Sequence, residues 1–247
     1  ETIKINCLNE SDFLTELVQT LKKTKIKLLL ISFPHNPTTL TVDQVFYDNL
    51  IELAEKYNFL IVNDFAYSDI YFGGNKPPSL LSSDKSLSHS IELYSLTKGF
   101  SMAGWRVGFA VGNKDAISSV TKLKSYIDYG TFQPIQIAST VALNELEEYP
   151  FELSSVYKER RELIVENLED LNFSVQESTA TMFVWAKLPE KFRNDSLKFS
   201  LELLEKSNVA ISPGVGFGKY GEGYIRIALV ENKQRIRQAM KNIKAAL

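Results

Sequence analysis

Apolar residues recur along this chain in two rhythms. At Phe13, Leu14, Leu17, Val18 and Leu21 the spacing is helical, with Asn9 placed as the N-cap, and IKIN at 3–6 reads as a strand ahead of it. KLLLIS, residues 27–32, is instead a short unbroken apolar run, the pattern of a strand buried on both faces of a parallel sheet. Helical spacing returns at Phe46, Leu50, Leu53, Ala54 and Tyr57, behind a capping box of Thr41 and Gln44. FLIVND at 59–64 and IELYS at 91–95 are two further apolar strands, separated by an irregular Gly-, Pro- and Ser-rich excursion over 73–90. RVGFAVG at 106–112 adds another strand.

Strand, helix, strand at these spacings predicts right-handed βαβ units and an α/β fold with a parallel sheet. Helical patterns follow over 115–128 and 133–147, then one long helix after Pro150 with Leu153, Val156, Tyr157, Ile164 and Leu168 facing inward. Beyond it come strands in FSV, MFVWAKL, VAIS and GYIRIAL, a helix over 195–206, and a final helix with Ile236, Met240, Ile243 and Leu247 in register. The change of pattern predicts a large α/β domain over 1–151 and a smaller α+β domain over 152–247. GVGFG at 214–218 precedes a strand instead of following one, so it reads as a structural loop and not a dinucleotide fingerprint.

Composition narrows the function classes. The chain has 247 residues, with 30 acidic against 28 basic, so no basic excess points to nucleic acid or an anionic membrane surface. No apolar run approaches the roughly 20 residues that span a bilayer. A single cysteine, Cys7, leaves no internal disulfide framework and reads as a small buried hydrophobe, and two histidines leave no zinc cluster. A cytoplasmic enzyme without a protein-bound metal is expected.

Ligands of parallel sheets bind outside the carboxyl ends of the strands. Asn36, in a loop stiffened by two prolines, Asp64 and Lys98 each fall just past the end of a separate predicted strand, so three reactive polar groups converge. Lys98 in this position reads as a Schiff-base lysine. Arg106, between Trp105 and Val107, reads as a buried, paired arginine. Arg226, between Ile225 and Ile227 on a predicted strand, requires an anionic partner if buried.

PHNPT at 34–38, NDFAYSDIYF at 63–72, SLTKGFSMAGWRVGF at 95–109 and YIRIAL at 224–229 occur in one order, and with them the chain resembles the class I/II, fold-type I pyridoxal-phosphate aminotransferases. YGTFQPIQIA at 129–138 and ISPGVGFGKYGEGYIRIALVEN at 211–232 are similar to the bacterial glutamate-pyruvate (alanine) aminotransferases of that family. The resemblance implies a three-layer, mostly parallel sheet, a pyridoxal 5′-phosphate cofactor, a homodimer, and exchange of an amine between an L-amino acid, such as alanine or glutamate, and a 2-oxo acid. It implies Lys98 as the covalent and acid–base residue, Asp64 as the partner of the pyridine nitrogen, and Tyr67 and Asn36 at the cofactor's phenolic oxygen. Ser95 and Arg106 would hold the phosphate, and Arg226 with Asn36 the substrate α-carboxylate. Tyr129 and Phe132 either line the pocket or pack in the core.

The chain begins where the family is already well into its cofactor domain. The family's N-terminal arm, Gly-containing phosphate loop, ring-stacking aromatic residue and residues lent to a partner subunit are therefore expected outside it, with weak cofactor binding and little turnover by this piece alone. A C–S β-lyase on the same scaffold would use Lys98, Asp64 and Tyr67 equally well. A non-catalytic module binding pyridoxal phosphate as a regulatory ligand is the third reading.

Overall fold

The computed structural model describes residues 2–5, 9–192 and 195–247; Asn6 of IKIN and Cys7 lie outside the described residues. Four strands, β1 (Leu28–Ile31), β2 (Leu60–Asp64), β3 (Ser90–Ser95) and β4 (Gly108–Gly112), form one sheet in that order. β1, β2 and β3 run parallel and β4 pairs antiparallel to β3 at the edge. Helices α1 (Glu10–Lys23) and α2 (Gln44–Tyr57) cover one face, burying Phe13, Leu17, Phe46 and Leu50 against Leu29, Ile31 and Ile61. Asn9 caps α1 as expected, its side chain accepting from the Asp12 N–H at 2.8 Å.

Three local expectations fail here. Residues 3–5 of IKIN are not in a strand; no neighbouring strand pairs with them, and Ile3 is exposed. β1 is not buried on both faces: Leu29 and Ile31 are inside, while Leu28 and Leu30 are 52% and 67% exposed, because helices of this chain cover one face of the sheet there. α2 is capped by Asp43, which accepts from the Phe46 N–H at 2.8 Å, and not by Thr41, whose hydroxyl bonds Thr179. The loop leaving Asn36 turns Thr41 toward Thr179 and brings Asp43 to the start of the helix.

A buried polar network ties the strand ends together. Asn63 is fully buried; its Oδ1 accepts from the Phe33 N–H at 3.1 Å, and its Nδ2 donates to Glu92 Oε1 at 3.1 Å and Tyr47 Oη at 3.2 Å. Glu92 in turn accepts from Ser79 Oγ at 2.6 Å and the Leu80 N–H at 2.7 Å. Every member has a partner, which makes such a network tolerable inside a sheet. It fixes the exit of β1, and hence the loop carrying Asn36, against the strand ending in Asp64.

A single helical turn, α3 (Leu96–Gly99), leaves β3, followed after β4 by α4 (Lys114–Ile127), α5 (Gln133–Glu145) and the long α6 (Tyr149–Asp170). The predicted boundary at residue 152 falls in the first turn of α6. Ile164 and Leu168 are buried as the pattern requires, but Val156 is 41% exposed. α4 buries none of its residues; Val120, Leu123, Tyr126 and Ile127 stand open.

The second sheet, order β5-β6-β8-β7, is antiparallel throughout, from β5 (Ser174–Val175), β6 (Phe183–Lys187), β7 (Ser212–Pro213) and β8 (Tyr224–Ala228). VAIS contributes only Ser212 to a strand. α6, α7 (Ser196–Ser207) and α8 (Lys233–Ala246) pack on it through Ile164, Leu168, Phe199, Leu203, Ile236 and Met240. Leu247 is the exposed C-cap of α8 and not part of the buried register. The two halves join at a seam: Tyr71 bridges Ala180, the Phe72 N–H donates to Thr179 O at 2.6 Å, and the Thr181 N–H donates to Ile70 O at 2.9 Å. Tyr67, Ile70, Phe72, Met182 and Phe183 form the small core behind it.

Candidate active site

The three strand-end residues occupy the same sheet edge. Asn36 lies five residues past β1 in a loop whose Pro34 and Pro37 follow cis peptide bonds. The loop is closed by His35 N–H donating to Leu40 O and Thr39 N–H donating to His35 O, each at 2.8 Å. Asp64 is the exposed last residue of β2, its Oδ1 accepting from the Ala66 N–H at 3.2 Å. Lys98 is half-buried in α3, whose N-cap is Ser95; the Ser95 hydroxyl oxygen accepts from the Thr97 N–H at 3.2 Å.

A chain of contacts links Lys98 to the second sheet. The Lys98 Nζ stands over the Tyr67 ring, 6.0 Å from its centroid. Tyr67 meets Phe183 edge to face at 5.5 Å. The Arg226 guanidinium lies 4.2 Å from the Phe183 ring centroid and 4.4 Å from that of Phe217, and its Nη1 donates to Asn36 Oδ1 at 2.7 Å. Burial raises the Tyr67 phenol above its usual pKa, with Arg226 opposing and Asp64 adding to the shift, so all three groups share one field. Asn36, Asp64, His35, Trp185 and Phe217 wall one open trough of about 1350 Å³.

Arg226 carries the sharpest signal. Burial lowers its pKa, yet a guanidinium remains a cation, and its Nε is buried without a hydrogen-bond partner among the described residues. A cation flanked by two rings, with one arm on a neutral amide and one donor unmet, is built to receive an anion, and a carboxylate matches its planar fork.

Other predicted residues stand differently. Arg106 is exposed, not buried and paired: it sits at φ 54° in a turn before the edge strand β4, and its Nη1 donates to Ala103 O at 3.2 Å. That edge is open among the described residues, with Trp105 47% exposed beside it. Tyr129 and Phe132 do not pack in the core; both are exposed.

The sequence left the aromatic surroundings of Arg226 unread. Pairing of Trp185 with Arg226 and of Phe183 with Ala228 puts the alternate residues of β6 on the arginine's face, a period-of-two signal present in MFVWAKL. The loop read as merely structural also supplies Phe217. Its ends press together so tightly that a Cβ on Gly214 would lie 2.0 Å from Gly221 O, which pinches the loop into a rigid neck.

His35 is a second residue whose role no spacing in the sequence signals. Burial lowers its pKa to about 4, and its Nδ1 lies 2.7 Å from Thr38 Oγ1. Between the unfolded value near 6.5 and about 4, the unfolded chain binds the proton that the native state refuses, so stability falls as pH drops through that window. Urea unfolding of His35→Gln should lose this acid slope, the wild type shedding about 2–3 kcal/mol more than the variant between pH 7 and 4.

The sequence matches the model of the aminotransferase class I and II family over residues 1–243. The chain belongs to the class I and II aminotransferases. It is similar to the glutamate-pyruvate aminotransferase AlaC of Escherichia coli, 41% identical over 237 residues that make up 95% of this chain and 58% of that protein. It is similar also to an LL-diaminopimelate aminotransferase of Natranaerobius thermophilus, 42% identical over 95% of this chain and 61% of the relative. Among solved structures, substrate-bound BacF of Bacillus subtilis matches with a TM-score of 0.86 and 34% identity, covering 92% of this chain and 57% of that one. The aromatic aminotransferase of Pyrococcus horikoshii matches with a TM-score of 0.88 and 25% identity, over 97% of this chain and 65% of that one. The chain thus spans less than two thirds of the length of these aminotransferases. Among the described residues no helix is long and apolar enough to cross a membrane, and no group of three or more His, Cys, Asp or Glu is placed to hold a metal ion.

Proposed function

We propose that this chain is the lysine- and arginine-bearing part of a pyridoxal-phosphate aminotransferase that exchanges an amine between an L-amino acid and a 2-oxo acid, with alanine and glutamate as the amino acids. The observation that carries the reading is Arg226, a half-buried cation whose buried Nε has no partner among the described residues, linked through Phe183 and Tyr67 to the amine of Lys98. The choice of alanine and glutamate rests on similarity to AlaC. We propose further that residues 1–151 and 152–247 are separate domains and that the protein works as a cytoplasmic homodimer. The open apolar row Val120, Leu123, Ile127 and Phe132 supports the dimer.

The residues present fit such a cofactor, because an amine, a phenol and an exposed carboxylate meet at one sheet edge beside an anion-seeking arginine. Pyridoxal 5′-phosphate, when bound, supplies an aldehyde and an electron-withdrawing ring that stabilises negative charge at the substrate α-carbon. Lys98 would engage the aldehyde and then carry the proton to and from the α-carbon. Asp64 would accept the ring N–H, while Tyr67 and Asn36 donate to the phenolic oxygen. Ser95 and Arg106 would offer hydroxyl and guanidinium donors to the phosphate. Arg226 would hold the α-carboxylate in register, aided by Asn36, which already accepts from its Nη1.

In the full-length protein, incubation with pyridoxal 5′-phosphate, borohydride reduction and peptide mapping should place the label on Lys98. A label spread over exposed lysines such as Lys114 and Lys124, or none, would defeat the proposal.

A further inference from the structure

Against the Lys98 turn lies a carboxylate that none of the roles above uses. Asp69 is 8% exposed. Its Oδ2 accepts a short hydrogen bond from the Tyr94 hydroxyl, its Oδ1 pairs with Lys76 Nζ at 2.9 Å, and its backbone carbonyl accepts from Ser154 Oγ of α6 at 3.0 Å. Tyr94 is the residue before Ser95, the cap of α3, and it stacks on Phe109 at 4.9 Å. Burial and the Asp69 acceptor both push the Tyr94 phenol far up, so the hydroxyl always donates.

Asp69 also touches the turn directly. Gly99 follows Lys98, and a Cβ built there would lie 2.9 Å from both Cβ and Oδ2 of Asp69. Glycine is the residue that lets the carboxylate approach this close. The segment 65–70 therefore holds α3 at two points, Tyr67 by its ring near the Lys98 amine and Asp69 by its carboxylate against Gly99. The grip is anchored at both ends, since the Ser68 N–H donates to Phe65 O and the Ile70 N–H to Tyr67 O.

We infer that Asp69 is a positioning residue for Lys98: pressed on Gly99 and tied to Tyr94, it sets the height and direction of the turn that holds the Lys98 amine over Tyr67. The inference rests on the aminotransferase reading for its purpose, though not for its geometry. Lys76 is an outer partner, 60% exposed at its side chain, and is dispensable to the grip.

The test reads the amine's position without the cofactor. Reductive methylation with ¹³C-formaldehyde gives each lysine a methyl resonance; that of Lys98, identified by its loss in Lys98→Arg, should carry a ring-current shift that vanishes in Tyr67→Leu. Asp69→Ala and Gly99→Ala should each collapse that shift to the value of exposed lysines, at temperatures well below their melting midpoints. Asp69→Asn, which keeps an acceptor for Tyr94, should retain it, as should Lys76→Ala. Pyridoxal-phosphate labelling of Lys98 should fall at least tenfold in Asp69→Ala and less than threefold in Asp69→Asn. An unshifted Lys98 signal in Asp69→Ala beside a lowered melting midpoint would mean Asp69 is structural only, and loss of the shift in Asp69→Asn would replace position by charge; either overturns the inference. Failure of the wild type to label at Lys98, with the methyl shift still governed by Asp69, would remove the aminotransferase reading and leave the positioning intact.

Discussion

In the full-length aminotransferase proposed above, Lys98→Ala is expected to lower kcat for amino transfer by about 10²- to 10⁴-fold, the range lost when a positioned proton carrier is removed. The loss should appear in kcat for every amino donor alike, because the missing group serves the bond-breaking step and not the recognition of any side chain. Melting should change by less than about 1 kcal/mol, since Lys98 is half-buried and makes no ion pair among the described residues. Steady-state kinetics of the two half-reactions, with thermal unfolding of the same samples, check both statements. Retention of more than a tenth of wild-type kcat would remove Lys98 from the chemistry.

Arg226→Met separates binding from folding even more sharply. Truncating one partner of a desolvated, hydrogen-bonded charge pair costs about 2–4 kcal/mol, so kcat/KM for any α-carboxylate substrate should drop roughly 30- to 1000-fold. In the unliganded protein the same change should cost little or even stabilise, because it removes a half-buried cation whose Nε is unmet among the described residues and leaves an apolar side chain between Phe183 and Phe217. Arg226→Lys should fall between, holding the charge but losing the planar fork. Urea unfolding beside substrate kinetics reads both effects; a parallel fall in stability and kcat/KM would mark Arg226 as a structural arginine.

Much of the topology is written in local pattern. Unbroken apolar runs alternating with helical periodicity are enough to set β1, β2 and β3 parallel, and with them the sheet edge where Asn36, Asp64 and Lys98 meet. Burial is less local. Whether Leu28 and Leu30 are covered, or Arg106 is enclosed, depends on what lies over a sheet face or edge, and short-range pattern carries no record of that. The cap of α2 failed for a different reason: Thr41 and Asp43 both suit an N-cap, and only the loop's path from Asn36 decides between them. Phe183 and Phe217 come from segments 34 residues apart, so their shared hold on Arg226 becomes visible only once β6 and β8 are paired.

The seam at Tyr71 and Ala180 has a mechanical consequence. Lys98 and Asp64 ride on one sheet and Arg226 on the other, so the spacing of amine, carboxylate and guanidinium is set by how the two sheets are joined and not by either sheet alone. Main-chain bonds at Phe72 and Thr181 make the joint, and side-chain bonds from Ser154 to Asp69 and from Arg226 to Asn36 add further ties across it. A substitution at the seam should therefore be felt at the site without touching any of its side chains.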